Sequence, residues 1–392
     1  MTQTVENSTA TTPAASKQVL SWIHSGRLPL LDGLRGISII AVVLSHAYVP
    51  GHHDLLARAV SWGNLGHLGV NCFFVISGLL ITLLLLRERD HKGKISLGKF
   101  YMRRAMRLFP ALALYLAIVY PALRIAGVYI QTKYWVAALT YTMCLMPNLH
   151  TAWAIGCLWS LSVEEHFYFI WPLLVAFLLP RRAAILAATY VLCVPVIRLL
   201  VWKKLHGILD VDYCSPTQMC GIAVGCVLAY WVFYHTEIVG YWMSGWRLRA
   251  ALVVAPVGLI VSTVLGREWG KYDIMFTDPM NSVFLATLVI ALFYSPKLWA
   301  SRLLNTRFLV GVGILSYSIY LWQQPFSYAA GSWLFHWPFN AISGVLVALL
   351  SYFLVEAPFL RLKDRMGARR HGVVAPAAAP APNEALVQEA VA

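Results

Sequence analysis

The sequence has 392 residues, of which 59% are hydrophobic and only 12% are charged, about half the charged share of an ordinary soluble domain. A soluble fold could not bury this much apolar surface, so the composition excludes a soluble globular protein and indicates a polytopic membrane protein. The net charge of +14 does not indicate a nucleic-acid partner in such a chain. Basic residues of membrane proteins mark topology and the face turned toward anionic lipids.

The ends of the chain differ in composition from its middle. Residues 1–26 are polar and rich in Ser, Thr and Ala, which predicts a disordered N-terminus with no cleavable signal peptide. Residues 371–392 are rich in Ala and Pro and predict a disordered tail. One membrane domain over 27–370 lies between them. The seven cysteines form no CxxC or Cys/His pattern, so no metal site is predicted, and no tightly bound cofactor is expected.

Apolar runs recur along the membrane domain, and a transmembrane helix needs about 20 such residues. Ten segments qualify: Gly33–Val49, His67–Leu86, Leu108–Gly127, Leu161–Leu179, Ala183–Val201, Thr217–Tyr234, Ala250–Leu265, Met280–Tyr294, Phe308–Tyr328 and Ala341–Glu356. The shorter stretch 135–146 predicts a non-spanning or re-entrant segment. The predicted fold is therefore all-α with about ten transmembrane helices, embedded in a lipid bilayer.

The distribution of basic residues predicts the orientation of these spans. With the N-terminus in the cytoplasm and 135–146 outside the span count, eight of the 31 Lys and Arg fall on the outer side: Arg58, Arg124, Lys133, Arg198, Lys203, Lys204, Arg267 and Lys271. The excess on the inner side predicts that both termini are cytoplasmic. Segment 95–112 interleaves basic and apolar residues, which predicts an amphipathic helix in the cytoplasmic interface leading into the third span.

The first predicted span carries two ionisable residues, Arg35 and His46. Their spacing is close to three helical turns, so both side chains fall on one face, about 16 Å apart along the axis. Ionisable groups within a span indicate a functional cavity, and a histidine can remove a hydroxyl proton near neutral pH. The alternatives are that Arg35 reaches lipid phosphates and that His46 packs against another helix. His67 and His166 are weaker candidates on position alone.

Two charged clusters follow. Arg104 and Arg107 are three residues apart and share a helix face, which suits phosphate binding but is also typical of a cytoplasmic anchor. Glu164 and Glu165 lie at the outer end of the fourth predicted span, where at least one should face a cavity or a cation. Tyr168 shares a face with Glu164. A structural ion pair is the alternative role for the glutamates.

Other polar residues lie in the second span and in the last two spans. Ser77 belongs to a glycine-rich stretch in which helix packing is the favoured interpretation. Gln323 precedes a proline toward the outer end of the ninth span. Glu356 lies at the inner end of the tenth span, where a local ion pair with Arg361 is the alternative to a functional role.

Six motifs occur in order along the chain: DGLRG with His46 at an R-x10-H spacing, GVNCFFVISGLLIT, FYMRRAMRLFPAL, LWSLSVEEHFY, LSYSIYLW and LVEAPFLR. Each motif alone is weak, but together they resemble the acyltransferase-3 family of integral membrane O-acyltransferases. The resemblance covers about residues 27–370. It implies a ten-span fold and transfer of a short acyl group, acetyl above all, from cytoplasmic acyl-CoA to a hydroxyl of a sugar-containing acceptor.

The resemblance also implies roles for individual residues. The expected catalytic set is His46, Arg35, Glu164 and Glu165, the expected acyl-CoA contacts are Arg104, Arg107 and Arg35, and structural or acceptor contacts are expected from Ser77, Tyr168, Gln323 and Glu356. Many members have a histidine where this chain has Gln323, which puts the acceptor in question. Some members carry an additional esterase-like domain after the membrane domain, so this chain is expected to work alone or with a separate partner.

Two mechanisms and two function classes follow from these patterns. His46 either takes the acceptor proton directly or carries the acyl group itself. A transporter or flippase of a glycan or lipid-linked substrate is the alternative function, but no internal repeat supports it. The expected location is a bacterial inner membrane. The patterns predict no particular oligomeric state.

Overall fold

A computed structural model describes residues 28–48, 54–205, 207–327 and 336–361. These ranges are helical almost throughout and contain no strand, which confirms the predicted all-α fold. The predicted disordered ends, 1–26 and 371–392, lie outside the described residues.

Eighteen α-helices occur in the described ranges. The first nine are α1 (Pro29–Val43), α2 (Leu55–Trp62), α3 (Leu65–Lys92), α4 (Leu97–Ile125), α5 (Thr132–Leu139), α6 (Trp153–Gly156), α7 (Leu158–Phe177), α8 (Pro180–Lys204) and α9 (Ser215–Gln218). The others are α10 (Cys220–Tyr234), α11 (Thr236–Trp242), α12 (Gly245–Glu268), α13 (Gly270–Tyr272), α14 (Asp278–Phe293), α15 (Trp299–Leu304), α16 (Arg307–Ile314), α17 (Ser316–Phe326) and α18 (Phe339–Ser351). Short π-helical turns occupy Leu44–Tyr48, Asp273–Thr277 and Tyr352–Glu356, and 3-10 turns occupy Met143–Leu145 and Leu149–Ala152.

Eight helical segments of the described chain are long and apolar enough to cross a membrane, so the protein is a multi-pass membrane protein. They are Pro29–Tyr48, Leu65–Lys92, Leu97–Ile125, Pro180–Lys204, Ser215–Tyr234, Gly245–Glu268, Gly270–Phe293 and Phe339–Arg361. The two remaining predicted spans are α7, which contains adjacent glutamates, and the pair α16 and α17, which is broken at Leu315.

The segment predicted to stop short of a full span does so. Helix α5 has eight residues, which is about 12 Å of helix and too short for a bilayer core. Tyr134, Trp135 and Met143 of this segment are buried in the same hydrophobic core as the long helices. The segment therefore packs against the long helices without forming a span of its own.

Helix α3 lies at the centre of the packing. The largest contact between two helices joins α3 and α10, and glycine makes it possible. A Cβ atom at Gly78 would lie 1.9 Å from the carbonyl oxygen of Ile222, and one at Gly225 would lie 2.2 Å from that of Val75. The close approach expected of the glycine-rich second span is thus real, and it brings the backbones of α3 and α10 into contact.

The predicted interfacial helix and the third span form one continuous helix, α4, with Pro110 and Pro121 inside it. Arg104 and Arg107 do not lie on an outer surface of this helix but face the interior of the bundle. This part of α4 contacts α7 and α17, so the two side chains line an internal cavity and do not project into lipid.

Arg198 of α8 is also not a surface charge, although it was counted as one in the orientation argument. Its side chain is 2% exposed and pairs with Asp278 at 2.7 Å and with Asp212 at 3.2 Å. The guanidinium also donates a hydrogen bond to the carbonyl oxygen of Ile274. We call Arg198, Asp212 and Asp278 the Arg198 cluster. Its charge is balanced inside the protein and carries no information on topology.

Candidate functional site

Helix α1 presents Arg35 and His46 to the interior because its glycines occupy the opposite face. A Cβ atom at Gly33 would lie 1.8 Å from the carbonyl oxygen of Leu304, and one at Gly36 would lie 2.3 Å from that of Leu309. Gly33 and Gly36 share one face by their spacing, so Arg35 between them points away from the α15–α16 contact. His46 lies in the π-helical turn Leu44–Tyr48, and such single turns are frequent at functional sites.

Arg35 lines a cavity of about 270 Å³ between α1, α3, α4, α7 and α17. The charged and hydroxylated side chains that line it are Arg35, Arg87, Arg104, Arg107, Glu164, Ser77, Ser160, Ser316, Tyr168, Tyr317 and Tyr320. We call it the arginine cavity. Four arginines face one glutamate in its lining, so it favours an anionic occupant.

Arg104 makes close contacts with charged and aromatic side chains of the protein. Its guanidinium lies 3.4 Å from the carboxylate of Glu165 and 3.9 Å from that of Glu164, and it stacks 3.2 Å from the ring centre of Tyr168. Glu164 in turn accepts a hydrogen bond from Ser77 at 2.7 Å. The structure therefore brings Arg104, both glutamates, Ser77 and Tyr168 into one network, as the ion-pair alternative foresaw.

Arg35 and Arg107 are placed differently from Arg104. In the described part of the chain, no carboxylate oxygen lies within 4 Å of either guanidinium. The buried Nε atom of Arg35 has no hydrogen-bond partner among the described residues. Partly buried guanidinium groups that lack a carboxylate at contact distance are costly, and an anion in the cavity would offset that cost.

His46 lines a second cavity, of about 300 Å³, which contains three histidines and several aromatic rings. These are His46, His67, His150, Trp153, Trp159 and Tyr213, and we call this space the histidine cavity. The ring of His46 packs edge-on against Trp153 at 5.3 Å between centroids, and His67 stacks on Trp159 at 6.1 Å. His46 therefore packs against a neighbouring aromatic ring and also lines a cavity, so both predicted environments of His46 occur in the structure.

Gln323 fixes the ring of His46. Its Oε1 atom lies 3.1 Å from Nδ1 of His46, and its side chain is 2% exposed. With the amide oxygen toward the ring, Nδ1 carries the proton and donates it, and Nε2 keeps its lone pair. Nε2 is then the basic atom of a histidine that lines the cavity.

The glutamates do not reach His46. Glu164 and Glu165 lie beside Arg104 at the arginine cavity, whereas His46 lines the histidine cavity and contacts Gln323. Helix α7 begins at Leu158, three residues before the predicted span, and α6 and a 3-10 turn precede it. Glu164 and Glu165 therefore lie in the second turn of α7.

Glu356 makes a long-range contact. It is 6% exposed and accepts a hydrogen bond from the hydroxyl of Ser318 on α17. It also lies within electrostatic range of Arg107. Glu356 therefore links the last predicted span to α17.

Several residues that line the two cavities could not be identified from the sequence pattern. Arg87 was counted only as a basic residue at the end of a span, and His150 and Trp153 lie in the irregular stretch before α7. Tyr320 stands in the LSYSIYLW motif but had no reason to be chosen over its neighbours. Only the packing of α17 against α6, with the hydrogen bond between Tyr320 and Ser160 at the start of α7, makes Tyr320 a cavity residue.

The comparisons with known proteins agree with this picture. The family model described as an acyltransferase domain, Acyl_transf_3, matches residues 28–359. The O-acetyltransferase OatA of Staphylococcus aureus strain NCTC 8325 is 27% identical over 362 residues, which cover 84% of this chain and 57% of the relative. The peptidoglycan O-acetyltransferase OatA of Listeria monocytogenes is 27% identical over 323 residues, covering 76% of this chain and 49% of the relative.

The chain thus spans about half the length of the curated relatives that it matches. No solved structure matches it. The matched relatives are named as enzymes that transfer acetyl groups, which favours catalysis over the alternative of transport.

Proposed function

The chain belongs to the acyltransferase-3 family and is an acyltransferase, and we propose that it moves a short acyl group, acetyl by preference, from acyl-CoA to a hydroxyl of a sugar-containing acceptor. The two adjoining cavities support separate binding sites for the acyl donor and the acceptor. The arginine cavity holds the donor, and the histidine cavity holds the acceptor. The protein acts in a bacterial inner membrane and takes its donor from the cytoplasmic side.

The charge of the arginine cavity supports the donor assignment. Coenzyme A is a polyanion, and guanidinium groups bind phosphates through paired, charge-assisted hydrogen bonds. Arg35 and Arg107 have no carboxylate within 4 Å in the described part of the chain, so a phosphate would balance their charge. Arg104 keeps its position through Glu164 and Glu165, and these glutamates thus act by holding a guanidinium and not by contact with His46.

The observation that carries the proposal is the His46–Gln323 pair. Because Nδ1 is bonded to Gln323, Nε2 of His46 is free to act as a base in the cavity beside the donor. The acceptor hydroxyl oxygen attacks the thioester carbonyl carbon while its proton moves to Nε2. The tetrahedral intermediate then collapses, the C–S bond breaks, and the CoA thiolate takes the proton back from the imidazolium. The products are an ester and free CoA.

The lining of the histidine cavity supports a sugar as the acceptor. Trp153, Trp159 and Tyr213 present aromatic rings, which pack against the apolar faces of sugar rings. Two of the matched relatives carry O-acetyltransferase in their names, and one of them is named for peptidoglycan. We therefore propose a cell-wall glycan or its lipid-linked precursor as the first acceptor to test.

Purified protein in proteoliposomes with radiolabelled acetyl-CoA and a panel of glycan and lipid-linked acceptors tests this proposal. We expect His46→Ala to lower transfer by about 10²–10⁴-fold, the usual contribution of a general base. His91→Ala is the matched control, because His91 is exposed near the end of α3 and lines neither cavity. It should transfer at the wild-type rate.

Three results would count against the proposal. Equal rates for wild type and His46→Ala would remove His46 as the base. An acyl-protein that is trapped in the wild type and disappears in His46→Ala would replace direct transfer by an acyl-histidine mechanism. Absence of acyl-CoA consumption by the wild type with every acceptor would refute the donor assignment.

A further inference from the structure

Two described residues, Val70 of α3 and Tyr320 of α17, line both the arginine cavity and the histidine cavity. Val70 is 8% exposed and Tyr320 is 7% exposed, so the two side chains form a wall between the cavities. Of the two, Tyr320 alone carries a hydrogen-bond donor. The Tyr320 hydroxyl contacts Ser160 of the arginine cavity and Cys157 of the histidine cavity, so it lies at the boundary between them.

The hydroxyl of Tyr320 is held at a break between two helices. Its oxygen lies 2.6 Å from the hydroxyl of Ser160 and 3.1 Å from the carbonyl oxygen of Cys157. Cys157 separates α6 from α7, and its N–H donates to the side chain of Gln324 at 2.6 Å. Because Tyr320 and Gln324 both belong to α17, one rigid helix fixes the phenol relative to the break.

The proposed reaction needs a hydrogen-bond donor at this wall. The phosphates of the acyl donor are in the arginine cavity and the base is in the histidine cavity, so the carbonyl that is attacked lies near the residues that the cavities share. Negative charge develops on that carbonyl oxygen in the transition state. Donors that are fixed in place before the reaction stabilise such a charge most effectively in a site from which water is excluded.

We propose that Tyr320 donates its hydroxyl proton in a hydrogen bond to the thioester carbonyl oxygen and stabilises the oxyanion of the tetrahedral intermediate. This inference rests on the proposed function of the two cavities. When the acceptor oxygen bonds to the carbonyl carbon, the carbonyl π electrons move to the oxygen, and the acceptor proton moves to His46. Tyr320 keeps its proton throughout. The hydrogen bond turns from the neutral carbonyl of Cys157 to the oxyanion, because a charged acceptor binds a donor more strongly.

Replacement Tyr320→Phe removes the hydroxyl and keeps the ring in the wall. We expect kcat to fall by about 10²–10³-fold, the loss measured when one such donor is removed, with little change in KM for acetyl-CoA. The dissociation constant of a non-reactive ketone analogue of acetyl-CoA, in which CH₂ replaces sulfur, should also stay within a few fold. A residue with a structural role only would instead alter binding and stability.

The matched control is Tyr115→Phe. Tyr115 is fully buried, and its hydroxyl donates to the carbonyl oxygen of Ala154 at 2.8 Å, close to the same helix break, but it lines neither cavity. A loss of kcat in Tyr320→Phe that Tyr115→Phe does not share supports the proposal. Equal losses in both variants, or wild-type kcat in Tyr320→Phe, would overturn it.

A second probe covers the case in which Tyr320→Phe does not fold. Difluorotyrosine placed at position 320 keeps the ring and the hydroxyl but makes the proton more acidic, so kcat should change while KM does not. Unchanged kcat in this protein would also overturn the proposal. The wild type and His46→Ala are assayed alongside, so failure of acyl transfer itself is distinguished from failure of the Tyr320 assignment.

Discussion

In the part of the chain that the structure describes, arginines turn inward both at the Arg198 cluster and at the arginine cavity, and their charge is balanced differently in the two regions. In the Arg198 cluster, Asp278 and Asp212 both lie within 3.2 Å of one guanidinium, and a backbone carbonyl accepts a further hydrogen bond. At the arginine cavity, Arg35 and Arg107 have no carboxylate within 4 Å among the described residues. Carboxylates of the protein pair with the guanidinium of the first region, whereas two guanidinium groups of the second have none at this distance.

The difference separates structural from functional charges in a membrane protein. Moving a charge out of water is costly, and a buried charge is stable when an opposite charge or hydrogen bonds offset that cost. In the Arg198 cluster the protein supplies both charges, so the pair serves folding. At the arginine cavity, Arg35 and Arg107 have no such partner within 4 Å among the described residues, which is why we propose that they bind the donor. Four substitutions test this distinction.

The largest effect on stability is expected from Arg198→Met. It leaves Asp278 buried without its cation, and breaking such a pair costs about 3–5 kcal/mol. The free energy of unfolding, measured by denaturant titration in mixed micelles, should fall by that amount. Arg182→Met, at an exposed position of the same helix, is the control and should change it little. A loss for Arg198→Met no larger than that of the control would show that the cluster does not hold the fold.

Arg107→Gln should produce the opposite pattern. Because no carboxylate lies within 4 Å of Arg107 in the described chain, its loss breaks no ion pair at that distance, and the free energy of unfolding should fall far less than for Arg198→Met. Loss of one charge-assisted hydrogen bond to a phosphate, about 1.5–3 kcal/mol, should raise KM for acetyl-CoA tenfold to hundredfold. Arg103→Gln, at the exposed neighbouring position, is the control. An unchanged KM for Arg107→Gln would argue that the cavity does not bind the donor.

Gln323→Leu tests the buried polar residue that contacts His46. Oε1 of Gln323 bonds to His46, while its Nε2 has no partner among the described residues. Without the acceptor, His46 is no longer held in one tautomer, and kcat should fall about tenfold with little effect on KM for acetyl-CoA. Gln323→Glu keeps an acceptor oxygen at the same place and should restore most of the rate. Similar losses in both variants would mean that the hydrogen bond to Nδ1 does not matter.

Ser77→Ala should have the smallest effect. It removes one hydrogen bond to Glu164, which still pairs with Arg104, so KM for acetyl-CoA should rise by about threefold. Steady-state kinetics with acetyl-CoA as the varied substrate measure this change. A loss beyond tenfold would show that Ser77 contacts a substrate directly and is not a support for the arginine network.

Much of the fold follows from local hydrophobic runs. The prediction of a span over Ala183–Val201 corresponds to a helix at Pro180–Lys204, and Ala250–Leu265 corresponds to Gly245–Glu268. The short stretch 135–146 is also non-spanning, as its length indicates. These features depend on residues close together in the chain, which is why a single sequence can reveal them.

The helix breaks could not be predicted in the same way. The ninth predicted span reads as one apolar run, but the structure interrupts it at Leu315, and another break at Cys157 precedes α7. Side chains from distant parts of the chain stabilise the second break, through Gln324 and Tyr320. No local pattern encodes a partner more than 150 positions away.

The sequence by itself determined that this is a multi-pass helical membrane protein, that Arg35 and His46 share one helix, and that six motifs resemble one family of acyltransferases. Composition and spacing are local properties, so they can be read before the chain is folded. The tertiary structure alone decided which charges meet. In the folded protein Glu164 pairs with Arg104, and Gln323 forms a hydrogen bond with His46. Arg198 pairs with Asp278, and Tyr320 lies between the two cavities. These pairings arise when helices far apart in the chain pack together, because only packing brings their side chains within a few ångströms of one another.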